Sequence, residues 1–215
     1  MKQNKLLTNI IVLVLVLAFG FGCQNVKLPF GGGSGISEST DPKDAVQTAL
    51  KKFMEARSYH SSVVTKNAQA TVQTEIDFNA PDRFWIKNTA GTMKNEVIAI
   101  GNDSYMRTND GKWTKNPAGQ SLPVGDMRGK MSEEAVKAMK DFESAGKETV
   151  NGKDAFVYKF KSSYGGESSS KMWISADSGL PLKVDTDGSY AGTKLQMTIT
   201  YDYDKEVKIE APKVN

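Results

Sequence analysis

The chain has 215 residues, with 28 Lys and Arg against 25 Asp and Glu, one His and one Cys. A net charge of +3 without a basic cluster leaves no electrostatic footprint for nucleic acid. A single Cys rules out an internal disulfide, and with one imidazole besides it a structural zinc centre lacks ligands.

The N-terminus, MKQNK, carries Lys2 and Lys5 and no acid, and from Ile10 to Phe21 nothing is more polar than Gly. A basic start, an apolar run and small residues at a boundary have the form of a secretory signal, here residues 1–22. The run is short of the ~20 residues that a spanning helix needs. Adding Leu6 to Asn9 brings it towards a marginal transmembrane anchor, and Asn9 is the weak point of that alternative. Without Lys2 and Lys5 the remaining cations and anions almost balance.

Cys23 follows this run directly. A catalytic thiol wants a base beside it and a place in a packed domain. A lipid anchor needs only Cys at the first mature position, where the thiol and the new amino group can both be acylated. The leader resembles a bacterial lipoprotein signal, in which signal peptidase II cuts before the Cys. Gly22 fits that pattern, while Gly20 and Phe21 stand where a Leu and a small residue are usual. We read Cys23 as a tether, with an inert or intermolecularly paired thiol as the alternative. In Gram-negative lipoproteins of this kind an Asp after Cys tends to hold the protein in the inner membrane, so Gln24 leans towards the outer one.

Residues 23–40 hold Gly and Ser with few apolar residues after Phe30, the composition of a flexible spacer. Such a spacer holds the domain, residues 41–215, on the order of 20 Å from its anchor. The domain opens with DPKDAVQTALKKFMEARSYH. Asp41 is an N-cap, Pro42 suits the first helical position, and Asp44 favours the positive end of the dipole. Ala45, Val46, Ala49, Leu50, Phe53 and Met54 share one helical face. A helix of about four turns is expected, with His60 at its end.

The period then changes to two. Val72, Ile76 and Phe78 alternate with polar neighbours, as do Phe156, Tyr158 and Phe160, and Leu195, Met197, Ile199, Tyr201 and Tyr203. This predicts antiparallel strands with one wet and one dry face. Shorter strands fit RFWIK, EVIAI, SYMRT, KWTK, KMWIS and LKVDT, and GND, NDG, NG, DSG and DG read as the turns between them. Roughly ten strands follow, with no βαβ rhythm. A Pro/Gly-bearing loop, 116–131, interrupts the meander. After it SEEAVKAMKDFESAG predicts a second helix, capped by Ser132, with Glu133 and Glu134 in its first turn and Gly146 at its end. Its stripe is Met131, Ala135, Val136, Met139 and Phe142. The economical arrangement curves the sheet around the helices, giving a two-layer α+β domain.

Catalytic signals are weak. A Ser–His–Asp set would have to use His60, and no G-x-S-x-G surrounds any Ser. DTDG, 185–188, opens like a calcium loop, but Ser189 and Tyr190 fall where a ligand and the turn Gly are needed, so it reads as a hairpin turn. Asp202 and Asp204 in YDYD lie on a wet strand face. GGGSG has no Lys and is no phosphate loop. We expect no enzyme, no metal and no cofactor.

Met93, Met106, Met172 and Met197 on strands, with Met54, Met131 and Met139 on or beside helices, suit either an adaptable pocket or irregular core filling. The phrases APDRFWIK, GNDSYMRTNDGKWTK, VNGKDAFVYKF and MWISADSGLPLKVDTDG are similar to those of the LolA-like lipoproteins and lipoprotein carriers, which include the LppX/LprG-type lipid-anchored members. The Asp177–Lys183 and Asp110–Trp113 turns carry the resemblance best, which spans residues 41–210. It implies a strongly curved antiparallel β-sheet, an unclosed half-barrel with two or three helices against its concave face, and between sheet and helices a cavity for acyl chains of lipids or lipoproteins. Phe84, Ile86, Met106, Phe156, Tyr158, Met172, Ile174, Leu195, Met197 and Ile199 would line cavity or core, with Met139 and Phe142 on a helical lid. The expected protein is a membrane-anchored, extracytoplasmic lipoprotein of the cell envelope whose partners are acyl chains and, through its anchor, the membrane. The alternative is the same fold with a filled core, serving as a protein-interaction or envelope-stress sensing module with an envelope protein partner.

Overall fold

The computed structural model describes residues 36–117, 135–190 and 192–214. The leader, Cys23, most of the spacer, and Met131, Ser132, Glu133 and Glu134 lie outside the described residues. Among those described, no helix is long and apolar enough to cross a membrane.

Helix α1, Pro42–Glu55, begins where the sequence sets it. Asp41 Oδ1 accepts from the Lys43 and Asp44 amides at 2.9 and 3.2 Å, a cap contributing about 1 kcal/mol. Ala45, Val46, Ala49, Leu50 and Phe53 form its buried face. The helix has the expected length of about four turns, 14 residues, but ends before His60. Ala56 turns extended, and Ser58–Lys66 is strand β1 rather than a continuation of the helix, so His60 sits on a strand. Tyr59, Ser61, Val63 and Thr65 all point inward, and two of these inward residues are polar, which hides the alternation in a hydropathy reading.

The strands follow as β2 (Thr71–Asn79), β3 (Arg83–Ala90), β4 (Met93–Ile100), β5 (Asp103–Thr108), β6 (Thr114–Lys115), β7 (Met139–Val150), β8 (Lys153–Ser162), β9 (Ser168–Ser175), β10 (Pro181–Tyr190) and β11 (Thr193–Asp202). They form one antiparallel sheet of eleven strands in the order β6-β5-β4-β3-β2-β1-β11-β10-β9-β8-β7. The sheet curves round α1 without closing, as expected for the half-barrel, with one strand more than the sequence suggested. Lys52 at the end of α1 donates to the Ser178 carbonyl at 2.7 Å and ties the helix to the β9–β10 turn.

The second helix needs correcting. Residues 135–137 are helical, but Met139 and Phe142 lie on β7, which continues through Gly146 to Val150. The register against β8 slips twice, between Lys140 and Glu143 and between Ser144 and Lys147. Each slip adds one residue to β7, and the first sets Met139 and Phe142, both packed on the helix side, three residues apart. That spacing imitates a helical stripe.

DTDG also differs from expectation. Residues 185–188 are the interior of β10, not a turn, and Tyr190 pairs with Thr193 across the actual hairpin end. Gly188 is required by crowding: a Cβ there would lie 2.8 Å from the Ser168 Cβ.

Nor is the outer face simply wet. Ala155, Val157, Trp173 and Leu182 form one apolar cluster on it, and Ile98 and Tyr105 join Val207 and Ile209 of the C-terminal tail in another. The tail is extended and held by side chains: Asn79 Nδ2 donates to the Val207 carbonyl at 2.9 Å and Arg83 to the Ile209 carbonyl at 2.8 Å. Beside it Glu96, 2% exposed, accepts from Arg107 at 2.7 Å and from the Trp85 indole at 3.0 Å. Arg107→Met leaves that carboxylate buried with the indole alone, so a urea titration is expected to show a loss of about 3 kcal/mol. Adding Glu96→Gln should recover part of it, and strict additivity of the two losses would refute the coupling.

Candidate functional site: the concave face

The concave face is built by strand alternation. Its register rows run across the sheet, for example Met106–Val97–Ile86–Ile76 and Ile199–Val184–Met172–Tyr158. Helix α1 lies on these rows and divides the packing in two. Phe53 joins Tyr59, Val63, Ile76, Phe78, Phe84, Ile86 and Ile199. Ala45, Val46, Ala49 and Leu50 join Tyr158, Phe160, Met172 and Ile174. Val184 touches both groups.

The sequence-derived candidates share this face with unequal burial. Phe84, Ile86, Tyr158, Met172, Ile174, Leu195 and Ile199 are buried, while Met139, Phe142, Phe156 and Met197 are half-buried. Met106 is 42% exposed, because only the two-residue β6 lies beyond β5. Phe142 stacks on Phe160 at 5.9 Å between centroids, so both former lid residues still face the helix side, from β7.

Aromatic packing fixes the end of the face near the helix C-terminus. Tyr59, Phe78, Tyr201 and Tyr203 cluster around Phe53, and Tyr203 donates to the Pro181 carbonyl at 2.9 Å. Burial pushes the Tyr158, Tyr201 and Tyr203 phenols upward, so they stay neutral and apolar in character at ordinary pH.

At the other end the inner face turns polar, which the sequence reading missed. Thr74 donates to Asn88 Oδ1 at 2.7 Å, Thr108 to Asn95 Oδ1 at 2.9 Å, and the Ser170 and Thr186 hydroxyls share a bond of 2.9 Å. Thr74, Asn88 and Thr65 are buried. Period-two counting from Val63 and Val72 would have placed Thr65 and Thr74 there.

The remaining candidates for chemistry are occupied elsewhere. His60 lies on the outer face with Nε2 2.8 Å from Glu75 and Nδ1 2.6 Å from Asp77, and Lys205 of the tail is 3.0 Å from the same Nδ1. The Ser62 hydroxyl is turned to Glu75, not to the ring. Asp185 accepts from Thr198 and Lys183, and Asp187 from Gln196, as cross-strand and same-strand bonds do. Two open clefts have mixed linings: one of 280 Å³ is lined by Lys147, Glu148, Asp154 and Phe156 among others, and one of 580 Å³ by Lys66, Glu167, Asp187, Lys194 and Leu195 among others. Each takes in one residue of the concave set, Phe156 or Leu195, and neither is lined by α1.

This arrangement is found in known structures. The lipoprotein LppX of Mycobacterium tuberculosis matches with a TM-score of 0.55 at 13% identity, over 80% of this chain and 100% of LppX. LprF of Mycobacterium bovis matches with a TM-score of 0.56 at 13% identity, over 84% of this chain and 99% of LprF. The fold is LolA-like. At this identity the likeness is one of architecture, and it extends over the whole of both neighbours. No family model matches the chain, and no curated protein does. The concave face offers chemistry by burial: two apolar clusters joined at Val184 and covered by α1, with a polar end.

Proposed function

We propose that the protein is a lipid-anchored lipoprotein of the cell envelope that holds acyl chains of lipids or lipoproteins against its concave face, for transport or sorting. The observation that carries this reading is the apolar concave face of a LolA-like sheet, in which Met106, Met139, Met197 and Phe142 remain incompletely buried. Flexible, polarisable Met side chains at such positions can move aside for a chain of varying shape. Burial supplies the affinity: about 0.8 kcal/mol per CH₂ gives a chain of about 16 carbons around 10 kcal/mol before any cost of opening. On this reading residues 1–22 are the signal, Cys23 bears the anchor, and residues 41–215 are the binding domain.

Native mass spectrometry of the full chain released in detergent, before and after organic extraction, tests it. A lipid mass that leaves on extraction is expected, while a covalent anchor stays. A chain that carries no extractable lipid and takes none up would turn the reading to the second one. That second reading, a filled core serving protein interaction, is favoured by the complete burial of Phe84, Ile86 and Ile174.

A further inference from the structure

The Thr65 hydroxyl is buried on the concave side with no hydrogen-bond partner among the described residues. Its position explains this. Thr65 pairs across the sheet with Val72 on one side and Met197 on the other, neither of which has a side chain that can accept from it well. The other inner polar residues of the same end, Thr74 with Asn88 and Ser170 with Thr186, bond to one another across neighbouring strands. Thr65 stands between these pairs and is left over. An unpaired buried hydroxyl costs stability, and replacing it with an apolar group of the same shape would remove the cost. Such a group makes physical sense where a ligand supplies the acceptor.

We propose that Thr65 is a ligand-reading residue: its hydroxyl donates to a carbonyl oxygen of an ester-linked lipid whose alkyl chains lie on the apolar part of the concave face. The inference rests on the acyl-binding reading above and adds polarity and orientation to it. The chains lie on the apolar rows under α1. The ester linkage, where the chains meet the headgroup, lies at the polar end, near Thr65, Thr74 and Asn88. An alkyl-ether lipid of equal length offers the same apolar surface with a poorer acceptor, so the site discriminates by the carbonyl rather than by chain burial.

The test is a competition. The delipidated full chain in a mild non-ionic detergent is given equal amounts of dipalmitoylglycerol and its dihexadecyl ether analogue, and the two adducts are compared in one native mass spectrum. Wild type is expected to favour the ester roughly fivefold, the weight of one ordinary hydrogen bond. Thr65→Val, nearly isosteric, is expected to bind both with a ratio near one, and Thr65→Ser, which keeps the hydroxyl, to retain the preference. Equal adducts in wild type, or an unchanged preference in Thr65→Val, overturns the assignment while leaving acyl binding in place. Neither adduct on wild type removes acyl binding and this inference together.

Discussion

Bacteria fed an alkyne fatty acid are expected to label the wild-type chain and to leave Cys23→Ala unlabelled. The effect is all-or-none, because Cys23 is the only thiol in the chain. Membrane fractionation is the poorer readout. Without its Cys the leader would stay attached, and the apolar run from Ile10 to Phe21 could hold the chain at the membrane by itself. Acylation at both the thiol and the new amino group gives at least two chains, and two anchor stably where one binds only marginally. Equal label in wild type and variant, or none in either, would sink the tether.

The largest effect on folding is expected at Phe53. It is 4% exposed, and its ring lies 5.0 Å from Tyr59 and 5.1 Å from Tyr201, joining α1 to β1 and to β11. Helix α1 is the element that covers the concave face, and Phe53 is the residue that commits it to the β1–β3 half. Phe53→Ala is expected to cost about 4 kcal/mol, from lost burial and the cavity left behind. For a domain of this size that lowers Tm by roughly 10 °C. The exposed neighbour Lys51→Ala should stay within about 0.5 kcal/mol of wild type. A Phe53→Ala protein melting with the wild type would mean that α1 is not what stabilises the sheet.

Much of this architecture was legible in the residues. Asp41 and Pro42 mark the start of α1, and period-two runs such as those of Phe156, Tyr158 and Phe160 place their strands and inner faces correctly. The resemblance to LolA-like lipoproteins supplied the curvature, which periodicity does not encode. What failed did so for local reasons. An extra residue in β7 set the inward Met139 and Phe142 three apart, and a strand passed for a helix. In β1, Ser61 and Thr65 occupy inward positions, and the strand passed for the end of a helix. The glycine of DTDG met a steric need inside a strand instead of a turn. The candidate site was legible as a face but not as a gradient along it, since the polar end depends on which hydroxyls find one another across strands.

An unclosed sheet has two rims, and a protein tethered as proposed would meet its own copies at the high density of a two-dimensional surface. A straight free rim there would invite copies to join end to end into fibres. Among the described residues one rim is β6, two residues long, and the other is β7, broken twice in register with Asp141 and Gly146 at positive φ. A short rim and a buckled one are poor templates for strand addition. The irregularity that disguised β7 in the sequence thus makes that rim a poor seat for a second copy.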